Sequence, residues 1–263
     1  MPVIEVRDMT PDDEAYVGSS SRETESSVLD AAGQRRVRWL HAMESKGLKI
    51  KVALLDGEHA GVAYVLPIEI CPWCATGKDL MALPCLYVHH QPESHGVGTV
   101  LIRAAEEEAR NQGRKGMVIV AYREDFWAVS PAFFQEQGYR GVAHHGRQVV
   151  MWKRFADDAV APKAIKRRFK FEPVKGKVVI DLFHNTLCRP SVVEAIRVRD
   201  LAERFGTKVL LREHSADERK ALVQHGIPRA IFINGREVSW GHAAPDDALA
   251  QEISREILRV SLR

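Results

Sequence analysis

The chain has 263 residues, 45% hydrophobic and 28% charged, with a formal net charge of +3. Such a chain has room for one large or two small globular domains, and its small net charge gives no reason to expect nucleic acid. No run of about 18 apolar residues offers a membrane span and no apolar signal core follows the N-terminus, so a cytoplasmic location is expected. The four cysteines, Cys71, Cys74, Cys85 and Cys188, are too few for a disulfide scaffold and are expected as thiols.

In chain order, residues 3–7 alternate apolar and polar and read as an edge strand. Residues 10–27 read as a short helix and a loop. Ser27 is expected to cap a helix reaching residue 45, with Val28, Leu29, Ala32, Val37, Leu40 and Met43 on an imperfect apolar face. Residues 50–55 and 61–66 read as two strands joined by an Asp56-Gly57-Glu58-His59 hairpin. Residues 71–84 read as a loop, and 85–88 as the next strand.

That strand runs into Val88-His89-His90-Gln91-Pro92-Glu93-Ser94-His95-Gly96-Val97-Gly98, and residues 97–111 continue as an amphipathic helix. A glycine-containing turn at a helix start leaves backbone N–H groups pointing outward, and the helix dipole adds partial positive charge. An anion such as a pyrophosphate fits there. Residues 116–122 form a β-branched strand, Ser130-Pro131 starts a short helix ending at Gly138, and Val142 with 149–152 forms a closing pair of strands.

Residues 156–176 carry few aliphatics and many cations, among them Lys163, Lys166, Arg167, Arg168, Lys170 and Lys175, and read as a basic linker. Phe169 and Phe171 within it dock a solvated connector or, in the rival reading, the basic run with these two rings touches RNA or a phosphate. A second unit follows over 177–263 in the order β-α-β-α-β-β-α. An apolar strand starts it, Gly206 and Gly226 stop its first two helices, Asn234-Gly235 turns a hairpin, and Leu249, Ile253, Ile257 and Val260 line the last helix.

Residues 1–155 resemble the GNAT acetyltransferases. Val88, Gly96, Val97, Gly98 and Leu101 match the spacing of that family's cofactor motif, and the order of elements matches as well. The resemblance implies an α/β protein of the α+β GNAT fold that takes acetyl-CoA and transfers the acetyl group to an amine. The acceptor is a small molecule or a peptide; neither its identity nor the oligomeric state follows. Cofactor contacts are expected from Val88 and His89 by backbone, then from Ser94, His95, Gly96, Val97, Gly98 and Thr99. Glu93 and Ser94 depart from the family's Arg or Gln and its Gly. Phe134 stands where many members have the tyrosine that protonates the leaving sulfur, which leaves Tyr87 and Tyr139 as acid candidates. His89 and His90 are base candidates or plain surface histidines.

Cys71-Pro72-Trp73-Cys74 is a CxxC in a loop. It could be a redox pair or two ordinary thiols. Zinc would need completion by His59, Cys85 or His89 at no recognised spacing, so a metal is not favoured. Residues 177–263 resemble a smaller, thioredoxin-like α/β domain. Cys188 matches the attacking cysteine, Ser191 replaces the resolving one, and Ile227-Pro228 matches the family's cis-proline loop. An alternative reading follows: a thiol-redox or sensor protein using Cys71, Cys74 and Cys188, with the first half only binding CoA. The combination of halves, with Cys85 and the stretch 112–120, resembles the YoaP-like bacterial proteins. In that resemblance the second half shapes the acceptor site or recruits a partner.

Overall fold

Alternating apolar strands in the first half pair into a single sheet that carries helices on both faces. A computed structural model describes residues 2–19, 30–73, 75–89, 96–123, 129–145, 148–239 and 244–261. It divides into two compact units, Met1–Ile165 and Lys166–Arg263.

In the first unit β1 (Ile4–Asp8), β2 (Lys49–Leu55), β3 (Glu58–Pro67), β5 (Met81–Val88), β6 (Gly116–Tyr122), β8 (Gln148–Arg154) and β7 (Arg140–His145) lie in that spatial order in a seven-stranded sheet. Only β5 and β6 pair in parallel; the other neighbours are antiparallel. A small separate ladder joins β4 (Ala75–Thr76) to β9 (Lys163–Ala164). The helices are α1 (Glu14–Ser19), α2 (Ala31–Glu44), α3 (Val97–Asn111) and α4 (Pro131–Glu136).

Strand periodicity sends alternate side chains to opposite faces. Ala63, Val65, Met81, Leu83 and Ile119 meet Leu101, Ile102 and Ala105 of α3 and Phe134 of α4 on one side. Val62, Tyr64, Leu66, Ala82 and Val118 meet Tyr16 and Val17 of α1 and Leu40 and Met43 of α2 on the other. Arg36 of α2 is 1% exposed. Its guanidinium donates to the carbonyls of Val17 (2.9 Å) and Gly18 (3.4 Å), which end α1, and to the Tyr64 hydroxyl (2.8 Å).

Several boundaries differ from the sequence reading: β3 begins at Glu58 rather than Gly61, and the short strands β4 and β9 lie in stretches read as a loop and a linker. The cap of α2 is Asp30, whose side chain accepts from Gly33 N–H at 2.7 Å, rather than Ser27, which lies outside the described residues. Strand β5 begins at Met81, four residues before the expected start. Pro84 reads as a strand breaker, but it sits beside a bulge in the β3–β5 register, where a missing N–H is tolerated.

In the second unit β11 (Val209–Ser215), β10 (Val178–His184), β12 (Ala230–Ile233) and β13 (Arg236–Val238) form a four-stranded sheet in that order. β10 pairs with β11 in parallel and with β12 antiparallel; β12 and β13 close the hairpin at Asn234-Gly235. Every residue of β10 is buried, as expected of a central strand covered on both faces. Val198 and Leu201 of α5 (Arg189–Arg204) and Leu249 and Ile253 of α7 (Asp246–Ser261) cover one face. On the other, Phe183 and Phe232 gather with Ile227, which follows α6 (Arg219–His225).

The stretch read as a linker is partly built into this unit. The Phe169 ring lies 5.1 Å from Phe183 and 4.8 Å from Phe232, Arg168 N–H donates to His225 O at 2.9 Å, and a Cβ at Gly235 would touch the Phe171 ring. Both phenylalanines are therefore packing residues and are not presented for contact with RNA. No peptide bond among the described residues is cis, so the Ile227-Pro228 bond is trans, contrary to the resemblance.

Candidate functional site

The sheet of the first unit splits where β5 and β6 part. Their ladder covers only Met81–Met117, Ala82–Val118 and Leu83–Ile119. Beyond it, Cys85 to Val88 stay paired with β3, while Val120 to Tyr122 stay paired with β8. Pro84 has no N–H to extend the ladder, and the bulge in the β3–β5 register turns β5 away. The result is a wedge whose two walls are strand edges without each other as partners. Edge N–H and C=O groups of this kind can bind an extended, amide-bearing ligand as an added strand would.

At the open end of the wedge stands the start of α3. Its cap, Gly96, has φ +92°, a left-handed conformation that favours glycine. The first turn of the helix is closed by a hydrogen bond from Val100 N–H to Gly96 O at 3.0 Å. The N–H groups of Val97, Gly98 and Thr99 therefore have no acceptor within the helix. Among the described residues, a Cβ on Gly96 would find only Ile4 Cδ1, at 3.8 Å; a Cβ on Gly98 would lie 3.1 Å from Phe133 Cζ. The third glycine at this end, Gly61 of β3, lets Leu101 and Val97 approach the sheet, since a Cβ there would lie 2.9 Å from Leu101 Cδ1.

Of the residues expected to contact the cofactor, Val88, Gly96, Val97, Gly98 and Thr99 stand around this end of the wedge, on β5, the cap and the first turn of α3. His89 follows β5, but its N–H is committed to Ala60 O at 2.8 Å. His90, Glu93, Ser94 and His95 lie outside the described residues.

The two acid candidates separate. Tyr87 is half-buried on β5, in register with Val62 of β3, and packs on the α1–α2 side of the sheet. Tyr139 is 2% exposed in the core beside Phe134, and its hydroxyl donates to Met117 Sδ at 3.1 Å. Burial, with the Glu106 carboxylate nearby, pushes that hydroxyl well above the ordinary tyrosine range. Phe134 is buried in the same core. The expectation for Tyr139 is therefore corrected: a sealed, desolvated hydroxyl cannot exchange a proton with a ligand in the wedge.

Cys71 is 2% exposed and Cys85 half-buried, both in the core on the α1–α2 side; Cys74 lies outside the described residues. Among the described residues no three His, Cys, Asp or Glu side chains are placed to hold an ion.

One polar cluster escaped the sequence reading. Asp13, fully buried after β1, accepts from both Nη atoms of Arg7 (2.5 and 2.9 Å), from Thr10 N–H (2.7 Å) and from the Thr10 hydroxyl (2.9 Å). His59 Nε2 lies 2.8 Å from Asp13 Oδ1, which also accepts from Arg7 Nη2, and its imidazole is stacked on Tyr16 at 4.3 Å. Burial alone would raise the Asp13 carboxyl, but the bonds from Arg7, His59 and Thr10 outweigh it and hold the group well below the usual carboxylate range. Thr10-x-x-Asp13 has the spacing of a capping box, the one local signal of this cluster; the arrival of Arg7 and His59 has none.

In the second unit Cys188 caps α5, and its N–H donates to Asn185 Oδ1 at 2.9 Å. Ser191 is buried, with its hydroxyl oxygen accepting from Asn185 N–H at 3.0 Å, and Asn185 also donates to Pro228 O at 3.0 Å. Arg229 pairs with the buried Glu194 carboxylate (2.5 and 2.7 Å). Burial opposes its charge, but Glu194 and the Cys188 sulfur together raise the guanidinium above its ordinary value. Cys188, Ser191 and the Pro228 loop thus meet at one helix end.

No helix among the described residues is long and apolar enough to cross a membrane. No curated protein matches the chain in sequence. Among solved structures, the PaiA N-acetyltransferase of Thermoplasma acidophilum in complex with coenzyme A is 17% identical, with 58% of this chain and 99% of that one covered and a TM-score of 0.43. A GNAT-family acetyltransferase of Desulfovibrio desulfuricans is also 17% identical, with 59% and 100% covered and a TM-score of 0.46. The ribosomal-protein-alanine N-acetyltransferase of Brucella melitensis is 20% identical, with 57% and 99% covered and a TM-score of 0.43. The model of the acetyltransferase (GNAT) family matches residues 15–139, which run from α1 through the wedge to α4. The first unit accordingly carries a domain of the GNAT acetyltransferase family.

Proposed function

We propose that the first unit transfers an acetyl group from acetyl-CoA to an amine acceptor, with the wedge between β5 and β6 as the cofactor cleft. The observation that carries this reading is the split ladder, which ends at Leu83 and Ile119 and opens toward the uncapped N–H groups of α3. The residues present fit such a ligand. The N–H groups of Val97, Gly98 and Thr99 would hold the pyrophosphate, next to the left-handed Gly96. The edge of β5 beyond Pro84, ending at Val88, would take the amide-bearing arm. When bound, acetyl-CoA supplies an acyl group activated as a thioester.

The chain's own part is positioning and proton handling. An amine attacks only after losing a proton, and a departing sulfur is eased by gaining one. Tyr87, on the strand that forms one wall of the wedge, is assigned the second task; Tyr139 is sealed off from it. Calorimetry with CoA and with acetyl-CoA tests the cleft, and an amine screen read by release of free CoA tests the transfer. Failure of both ligands to bind would overturn the reading.

We also infer that the second unit is thioredoxin-like. Its strand order, with β11 and β10 parallel and β12 and β13 antiparallel beyond them, supports this, as does Cys188 at the start of α5 beside the Pro228 loop. The trans bond at Pro228 and the serine at 191 depart from a disulfide-exchanging site, so this unit is read as a binding or packing module. The joined pair resembles the YoaP-like proteins. Rapid, selective disulfide formation at Cys188 with glutathione disulfide would overturn the non-redox part of this reading.

A further inference from the structure

The wedge does not end blindly. At its apex, where the β5–β6 ladder stops, a small apolar notch opens on the α1–α2 side of the sheet. Among the described residues, Pro84 of β5, Val118 and Val120 of β6, and Cys71, Trp73 and Ala75, which follow β3, line it. It measures about 230 Å³ with its open mouth included, but the enclosed part admits only a group about the size of a water or a methyl. Pro84 on one wall of the wedge and Val120 on the other thus border a space that is apolar and narrow.

The spacing along β5 indicates what reaches it. From Val88, beside the start of α3, to Pro84 at the apex is four strand steps, or roughly 13 Å. An extended pantetheine arm anchored by its pyrophosphate at α3 covers a comparable distance, so the thioester end arrives at the notch rather than at the open face. Among the described residues no charged side chain lines it.

Resting on the acyl-transfer reading above, we infer that this notch receives the alkyl end of the acyl group and sets its length. The acetyl methyl fills the enclosed part; the ethyl of propionyl reaches into the open mouth, butyryl overfills it, and hexanoyl cannot be seated. Trp73 is the wall that limits the length, because it is the largest side chain closing the notch and belongs to the connection between β3 and β4 rather than to the sheet.

The test is calorimetric binding of free CoA, acetyl-CoA, propionyl-CoA and hexanoyl-CoA to the full chain. Propionyl-CoA is expected within about threefold of acetyl-CoA, and hexanoyl-CoA about tenfold weaker or more. Trp73→Ala should bring hexanoyl-CoA to within about threefold of acetyl-CoA while leaving free CoA unchanged. Ala75→Met should fill the notch and weaken acetyl-CoA and propionyl-CoA relative to free CoA; thermal melting of each variant checks that it folds. Equal binding of hexanoyl-CoA and acetyl-CoA by the unaltered chain overturns the inference, as does a folded Trp73→Ala and a folded Ala75→Met that both keep the original discrimination. If free CoA itself does not bind, the acyl-transfer reading falls first, and a result confined to the acyl series leaves that reading standing.

Discussion

Gly98 of α3 faces the Phe133 ring of α4 so closely that a Cβ added to it would lie 3.1 Å from Phe133 Cζ. The glycine thus serves packing between two helices as well as access to the helix start. Gly96, two residues earlier, has the opposite character: only Ile4 near a Cβ among the described residues, and a left-handed backbone. Substitutions at the two positions should fail for different reasons. Gly98→Asp should destabilise the first unit by about 1–3 kcal/mol through overpacking and a buried charge. Gly96→Asp should lose about 1–2 kcal/mol to backbone strain. Both should abolish CoA binding. Urea denaturation read beside calorimetry checks this, and a fully stable Gly98→Asp would refute the packing role.

The Asp13 cluster predicts a particular acid response. Its carboxyl is held below the ordinary aspartate value of about 3.9, so in acid the unfolded chain takes up the proton first. Stability from this group is complete above pH 4 and is lost as pH falls toward the folded value. Asp13→Asn should cost about 2–4 kcal/mol at neutral pH by stranding Arg7 and removing the bond to His59, and should flatten the decline below pH 4. Denaturation midpoints of both proteins from pH 7 to pH 2.5 decide the point; parallel curves would mean that the cluster does not govern acid stability.

The two tyrosines offer a matched pair. Tyr139→Phe removes one hydroxyl bonded to Met117 Sδ, at a cost of about 1 kcal/mol or less, and should leave turnover intact. Tyr87→Phe should keep acetyl-CoA binding and lower turnover about a hundredfold with the best amine of the screen, the usual scale for a lost general acid. Equal turnover in both variants would remove Tyr87 from the chemistry.

His225 of the second unit has a side-chain pKa below the ordinary histidine value, first because it is partly buried and then because His214 stands beside it, with centroids 4.9 Å apart. Asp181, bonded to His214 at 3.0 Å, pulls the other way without prevailing. Phe183, edge-on to His225, adds no charge. Below about pH 6.5 the unfolded chain binds the proton more readily, so stability falls as pH drops from that value through the folded one. His225→Gln should lose this slope. Urea midpoints at pH 7.5 and 5.5 measure it, and an unchanged slope in the variant would assign the titration elsewhere.

Helix α3 was legible from Val97 to Asn111 because its stripe of Leu101, Ile102 and Ala105 repeats at helical spacing and glycines mark its entry. The hairpin at Asn234-Gly235 and the buried strand β10 were legible for equally local reasons. Pro84 concealed the first half of β5, and Ser27 stood in for Asp30 as a cap, because several residues nearby have capping chemistry and only the coordinates say which one is used. Tyr87 and Tyr139 look alike in sequence; their burial separates them.

By itself the sequence determined the order of elements, the glycine turn before α3 and the division into two apolar-rich stretches, since these depend on neighbours within a turn or a hairpin. The tertiary structure decided where the β5–β6 ladder stops, that Tyr139 is sealed in the core, and that Arg7, Asp13 and His59 meet. Each of these depends on residues distant in the chain, or on a pairing that ends, and no local pattern of side chains encodes it.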